Sequence, residues 1–215
     1  MLTFTRLQLR TTDVAAARSF YAEVLGHPVE DVEALSPVAL ARGARPHWLG
    51  YLGVPDVGFA AAWLVARGAQ LLGPQSPERA VLREPGGALL GLGAPGAPVR
   101  AFHALNVPDV EAALTHYGQL CRWVRGPAVD LGPHGVHHAF GYIDGEWVGS
   151  MASLAGRPGV HPQWLHHLPV ADLGRAVEIA RSRGAFVFDP VIGPDGVRVA
   201  VGDDPQGGAF AVRGR

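Results

Sequence analysis

Eight of the ten histidines lie after residue 100: His103, His116, His134, His137, His138, His161, His166 and His167. Imidazole moves protons near neutral pH and binds zinc, iron, nickel or copper through a ring nitrogen, and three convergent rings suffice for an open metal site. Adjacent residues on a strand point to opposite faces, so one of His137 and His138, and one of His166 and His167, can share a cavity. No histidine pair has the spacing of a known zinc motif, and no carboxylate completes one. The alternative chemistry is proton transfer, for which His167 and His138 are the candidates, with His137 as the other member of its pair. His103 shares its face with Leu105 and Val107, and His116 stands where Phe20 stands earlier in the chain, so both read as core or edge residues.

Aromatic side chains supply the rest of a possible pocket. Phe140, Tyr142, Trp147 and Trp123 have no counterpart in the first half, and a cavity lined by unrepeated aromatics is the better binding candidate. Trp48 and Trp164 do repeat, which favours a core role, although Trp164 also counts among the candidate ligand-binding residues with His137, Phe140, Tyr142 and Trp147.

The elements that must position these residues follow from an internal repeat. Trp48-Leu49-Gly50-Tyr51-Leu52-Gly53-Val54-Pro55-Asp56 returns as Trp164-Leu165-His166-His167-Leu168-Pro169-Val170-Ala171-Asp172, and Arg67-Gly68-Ala69 returns as Arg183-Gly184-Ala185. A second unit, from Leu9 through Asp13 to Phe20-Tyr21, returns from Leu105 through Asp109 to His116-Tyr117. The order is A, B, A′, B′, a duplicated pair of modules. It predicts two halves, residues 1–95 and 100–215, each large enough for its own core.

Within each module an alternating strand leads to an aspartate and then to an apolar helical run. Phe4 to Thr11 alternates, Asp13 opens a helix carrying Val14, Ala17, Phe20, Tyr21 and Val24, and Gly26 closes it. Asp56, Asp109 and Asp172 stand in the same place, which predicts helix caps rather than catalytic acids. Glu84-Pro85-Gly86-Gly87 and Asp204-Pro205-Gln206-Gly207 predict hairpin turns. The second half is longer, with candidate strands Trp123 to Val129, Val136 to Tyr142 and Trp147 to Ser153. The class is α+β, with helices outside curved sheets whose free faces form cups.

Composition narrows the partners. A formal net charge of −1 with scattered Lys and Arg gives no footprint for nucleic acid. The longest apolar run, Val57 to Ala66, is too short to cross a bilayer. Met1 to Arg6 reads as the start of a strand rather than a signal peptide. Cys121 is the single cysteine, which excludes an internal disulfide, fits a reducing cytoplasm, and reads as a buried small apolar residue.

The strand, Thr11-Thr12-Asp13, the helix ending in Phe20-Tyr21 and Leu25-Gly26, and the B modules with Trp, Val-x-Asp, Gly-Ala and Asp-Pro-x-Gly together resemble the vicinal oxygen chelate superfamily. It contains glyoxalase I, the bleomycin- and fosfomycin-resistance proteins, extradiol dioxygenases and methylmalonyl-CoA epimerase. The resemblance covers essentially the whole chain, in its two-domain glyoxalase-like branch. It implies duplicated βαβββ modules, four in all, forming two cups. It also implies a metal held by a histidine or glutamate on a module's first strand and a glutamate on a last strand. The matching first-strand positions here are Arg6, Gln8, Leu49, Tyr51, Phe102, Ala104, Leu165 and His167, and the last-strand positions are Gly91 and Ala211. The chelate is missing at nearly all of them. The resulting expectation is a glyoxalase-like protein that binds a small organic molecule in the C-terminal cup without a cofactor. A metal-dependent lyase, isomerase or dioxygenase with a histidine-built site is the alternative, and a non-catalytic homodimeric interaction protein the second.

Overall fold

The structure, a computed structural model, describes residues 2–143, 145, 147–155, 157 and 160–215. Module A contains β1 (Phe4–Thr11), α1 (Val14–Leu25), β2 (Val32–Ala34) and a short α2 (Pro37–Ala41). Module B contains β3 (His47–Gly53), α3 (Val57–Val65), β4 (Gln70–Leu71), β5 (Ala80–Arg83) and β6 (Leu89–Gly93). Module A′ contains β7 (Phe102–Asn106), α4 (Val110–Cys121), β8 (Val124–Asp130), β9 (Val136–Gly141) and β10 (Trp147–Ala152). Module B′ contains β11 (Gln163–Pro169), α5 (Leu173–Ser182), β12 (Phe186–Val187), β13 (Val191–Ile192), β14 (Arg198–Asp203) and β15 (Ala209–Gly214).

The four long helices start where the sequence placed their caps. Asp13, Asp56, Asp109 and Asp172 each adopt extended backbone and accept the N–H three residues on, from Ala16, Phe59, Ala112 and Arg175. Each side chain thereby satisfies an amide that has no carbonyl partner in the first helical turn.

Modules B, A′ and B′ share one topology. The last strand returns in parallel beside the first, as β6 beside β3, β10 beside β7 and β15 beside β11, and the preceding strand adds antiparallel to the last. Module A departs from the expected βαβββ pattern. Its β2 pairs in parallel with β1, and α2 occupies the segment where a hairpin would stand, because the chain from Gly26 to Trp48 is too short for two more strands. The turns at Glu84 and Asp204 are as expected and alike. Gly87 and Gly207 donate to the carbonyls of Glu84 and Asp204, each at 2.8 Å, with φ of 93° and 84°. That left-handed residue after the turn is why glycine closes both motifs.

By compactness the chain divides into Met1–Leu7 with Leu49–Trp164, and Gln8–Trp48 with Leu165–Arg215. This division cuts across the one expected from the repeat at residues 95–100. Apart from Met1–Leu7, which holds the start of β1, each unit takes one A-type and one B-type module from opposite halves, with boundaries just after Trp48 and just after Trp164, the same point of the repeat.

A buried polar cluster links the modules in each unit. In the first, Tyr117 of α4 donates to the Glu84 carboxyl, and the Trp164 indole N–H donates to the Tyr117 hydroxyl at 3.0 Å. In the second, Tyr21 of α1 donates to Asp204 at 2.9 Å. Trp164 stands edge-on to Tyr117 at 5.2 Å and 88°, and Trp48 edge-on to Tyr21 at 5.1 Å and 85°. The repeated tryptophans thus occupy equivalent environments. Around the first cluster, Leu52, Leu64, Leu82, Leu90, Leu105 and Met151 close a core that includes the fully buried Cys121. Around the second, Phe20 and Phe210 pack edge-on at 5.8 Å.

Candidate functional site

The A′ sheet has two faces, and its register assigns the histidines to them. Gly149, Ser150, Met151 and Ala152 of β10 lie beside His103, Ala104, Leu105 and Asn106 of β7 and opposite Phe140, Ala139, His138 and His137 of β9. Met151, Leu105 and Phe140 belong to the core under α4, so His138 and His103 share that face. His103 is buried there with its ring 4.5 Å from Phe4, as its alternation with Leu105 and Val107 predicts. His137, Ala139, Ser150 and Ala104 occupy the opposite face, the one a cup would present.

His138, a candidate proton-transfer residue, is thereby engaged on the helix side. Arg125 donates one N–H to His138 Nδ1 at 2.9 Å and another to Glu111 of α4 at 2.8 Å. Its neighbour His137 holds the cup-side position. His137 Nε2 lies 3.2 Å from the His134 carbonyl, and Nδ1 lies 3.2 Å from Ser150 Oγ. A carbonyl only accepts, so Nε2 carries the proton and Nδ1 accepts from the serine hydroxyl. Burial lowers the pKa of this ring and keeps it neutral. Ser150 is fully buried and was not among the expected residues; a lone serine in a strand gives no signal until its register partner is known.

The expected aromatic wall is divided. Phe140 is fully buried and stacked on Trp123 at 4.5 Å, and Trp164 is held by Tyr117, so both are core residues rather than pocket lining. Tyr142 is partly buried against the same core, and Trp147 is 38% exposed, its ring lying over Gly126. His167 belongs to the other compact unit, where it is buried on β11 beside Ala211 of β15. Its neighbour His166 is fully buried, and desolvation followed by the nearby His167 pushes its pKa down to about 3.

The positions that would carry a chelated metal can be tested by register. Tyr51 of β3 pairs with Gly91 of β6, His167 with Ala211, and Ala104 with Ser150. Each pair joins a first strand to a last strand. The three pairs offer one imidazole, one phenol, one hydroxyl and no carboxylate, a poor set for a divalent cation. At Gly91 there is also no room: a Cβ there would sit 2.5 Å from the Tyr51 ring. Arg6, another first-strand position, lies over the Tyr51 ring at 4.9 Å. Gln8 donates to Asp31 at 2.7 Å and to Glu33 at 3.2 Å. Among the described residues no three His, Cys, Asp or Glu side chains converge as a metal-binding group. The residues do not fit the metal of the related fold.

Comparison with known proteins bears on the same module plan. The chain is similar to the 2,3-dioxygenase LapB of Pseudomonas sp. KL28, with a TM-score of 0.63 and 12% identity over 98% of this chain and 91% of that one. It is likewise similar to homoprotocatechuate 2,3-dioxygenase of Brevibacterium fuscum, with a TM-score of 0.63 and 12% identity over 100% of this chain and 81% of that one. This chain has the vicinal oxygen chelate fold. In sequence it is 25% identical to a protein of Mycobacterium tuberculosis provisionally named glyoxylase CFP32, over 96% of this chain and 92% of the other, and to its Mycobacterium bovis counterpart to the same extent. No family model matches the chain. Among the described residues no helix is long and apolar enough to cross a membrane.

Proposed function

We propose that this chain is a glyoxalase-like protein that binds a small organic molecule in its C-terminal half and works without the metal of related enzymes. One observation carries this reading: where first and last strands meet, the residue pairs are Tyr51 with Gly91, His167 with Ala211 and Ala104 with Ser150, which lack a carboxylate. The fold supports a small-molecule role by analogy, since it hosts enzymes and sequestering proteins alike. On the A′ sheet Ala104, Ala139 and Ser150 put small side chains on the face that also carries His137, the polar group to orient a ligand on this reading. Tyr142 and Trp147 supply apolar surface nearby in sequence. Binding is favoured over turnover because two of the three candidate bases are engaged, His137 at both ring nitrogens and His138 by Arg125. A reducing cytoplasm suits the single buried thiol.

Native mass spectrometry of untagged protein is the test. The expected spectrum carries a small-molecule adduct that is released on denaturation and weakened in His137→Ala. An adduct whose mass is a bare transition-metal ion would contradict the proposal.

A further inference from the structure

The two buried acid–tyrosine–tryptophan clusters differ at the acid and at its neighbours. In the second unit Asp204 lies in a cradle of donors: one carboxylate oxygen accepts the N–H groups of Gln206 and Gly208, each at 2.9 Å, and the other accepts from Tyr21. The α1 residue before Tyr21 is Phe20, an apolar neighbour. In the first unit the acid is Glu84, one methylene longer, bound to Tyr117. The α4 residue before Tyr117 is His116, whose Nε2 lies 4.0 Å from the same carboxylate oxygen. That distance is beyond a hydrogen bond, and Nε2 is buried without a hydrogen-bond partner. Both side chains are largely buried, at 4% exposure for Glu84 and 15% for His116.

We propose that Glu84, seated beside His116, is a proton-operated latch between the β5–β6 hairpin and α4, and that its counterpart Asp204 is a fixed anchor. The latch is independent of what the protein binds. Among the described residues, the ionisable groups around it leave the carboxyl without a hydrogen-bonded cation. Tyr117 and Cys121 on α4 are both neutral, their pKa values raised by burial, and Arg67, in the turn after α3, is directed at the Trp63 face, 3.6 Å away. The His116 ring is kept neutral by burial and by Arg67. Burial raises the Glu84 pKa from 4.5 to about 8. A raised carboxyl pKa means that the closed state holds a proton the open state gives up. The contribution of Glu84 to closure is therefore strongest at low pH, weakens as pH rises from about 4.5 to about 8, and is constant above that; the neutral His116 opposes it only at acid pH, below its ordinary range. Asp204, with three donors to its anion, follows the same direction to a smaller extent.

Hydrogen exchange read by mass spectrometry tests the latch, with exchange times rescaled for the intrinsic rate at each pH. Between pH 6.5 and pH 8 the peptides covering α4 and β5–β6 are expected to lose protection by about tenfold, and those covering α1 and β14–β15 by much less. Glu84→Gln, an uncharged isostere, is expected to abolish the loss. Equal loss in both sets of peptides, or an unchanged loss in Glu84→Gln, would overturn the proposal. Should that variant fail to fold, the infrared spectrum of the unmodified chain decides: a protonated-carboxyl band at pH 6.5 that fades by pH 9 supports the latch, and its absence at pH 6.5 overturns it.

Discussion

Tyr51 fills the space that any side chain on Gly91 would need. The two residues are paired across β3 and β6, Tyr51 is 1% exposed, and a Cβ on Gly91 would meet three atoms of the ring between 2.5 and 2.8 Å. Gly91 is also the last-strand position at which the resemblance implies a metal-binding glutamate. A carboxylate cannot be restored there by one substitution. Gly91→Ala is expected to lower stability by about 1–3 kcal/mol through overpacking, and Tyr51→Ala in the same chain to relieve part of the clash. Urea denaturation of the two single variants and the double variant measures the coupling. Additive losses would show that the ring does not depend on the glycine.

The four capping aspartates give a second expectation. Asp109→Ala should cost about 1 kcal/mol, and Asp109→Asn much less, because the amide oxygen still accepts the Ala112 N–H. Asp13, Asp56 and Asp172 should behave alike. Ligand binding should be unchanged in all of them, and a variant that folds normally yet loses binding would reassign its aspartate to function.

These caps, the repeat, the paired hairpin turns and the buried thiol were legible in the sequence because each is local: a side chain and an amide three residues away, or a glycine after a turn. The pairing of modules was not. Whether Tyr117 meets Glu84 or a residue of its own half depends on packing across dozens of residues, which no periodicity encodes. The face of His137 and His138 was equally hidden. Irregularities between Arg125 and Ala128 on β8 and between Trp147 and Gly149 on β10 shift the pairing, so counting outward from the flanking aromatics does not fix which histidine turns to the core. Phe140 and Trp164 were expected on a pocket wall because composition cannot separate a core aromatic from a lining one.

The two faces of β9 separate the neighbouring histidines in a third prediction. His137→Ala should weaken ligand binding, since it removes the ring held by Ser150, whereas His138→Ala should leave binding unchanged and cost less than about 1 kcal/mol, as it breaks only a partly exposed contact with Arg125. Thermal-shift titration with the co-purified molecule distinguishes them. The opposite order of effects would move the site to the helix side.

The buried histidines set the acid limit of the fold. His166 is held near 3, and His47, His116 and His137 are all lowered by burial, so each binds its proton more readily in the unfolded chain. The contribution of these histidines to stability should accordingly fall as pH drops below about 6.5 and keep falling toward 3, opposite in sign to that of Glu84. His166→Asn removes one of these protons and should flatten the decline between pH 6 and pH 4 in chemical denaturation. An acid limb unchanged in that variant would mean the ring stays neutral in both states.

Elemental analysis of untagged protein tests the central claim most directly, because a histidine tag would add a metal signal of its own. The account predicts less than about 0.1 equivalent of any transition metal, and a melting temperature indifferent to a chelator, since no folding free energy is stored in coordination. One equivalent of zinc, iron, nickel or manganese, lost together with ligand binding in His167→Ala, would contradict it and put a histidine-built metal site in module B′.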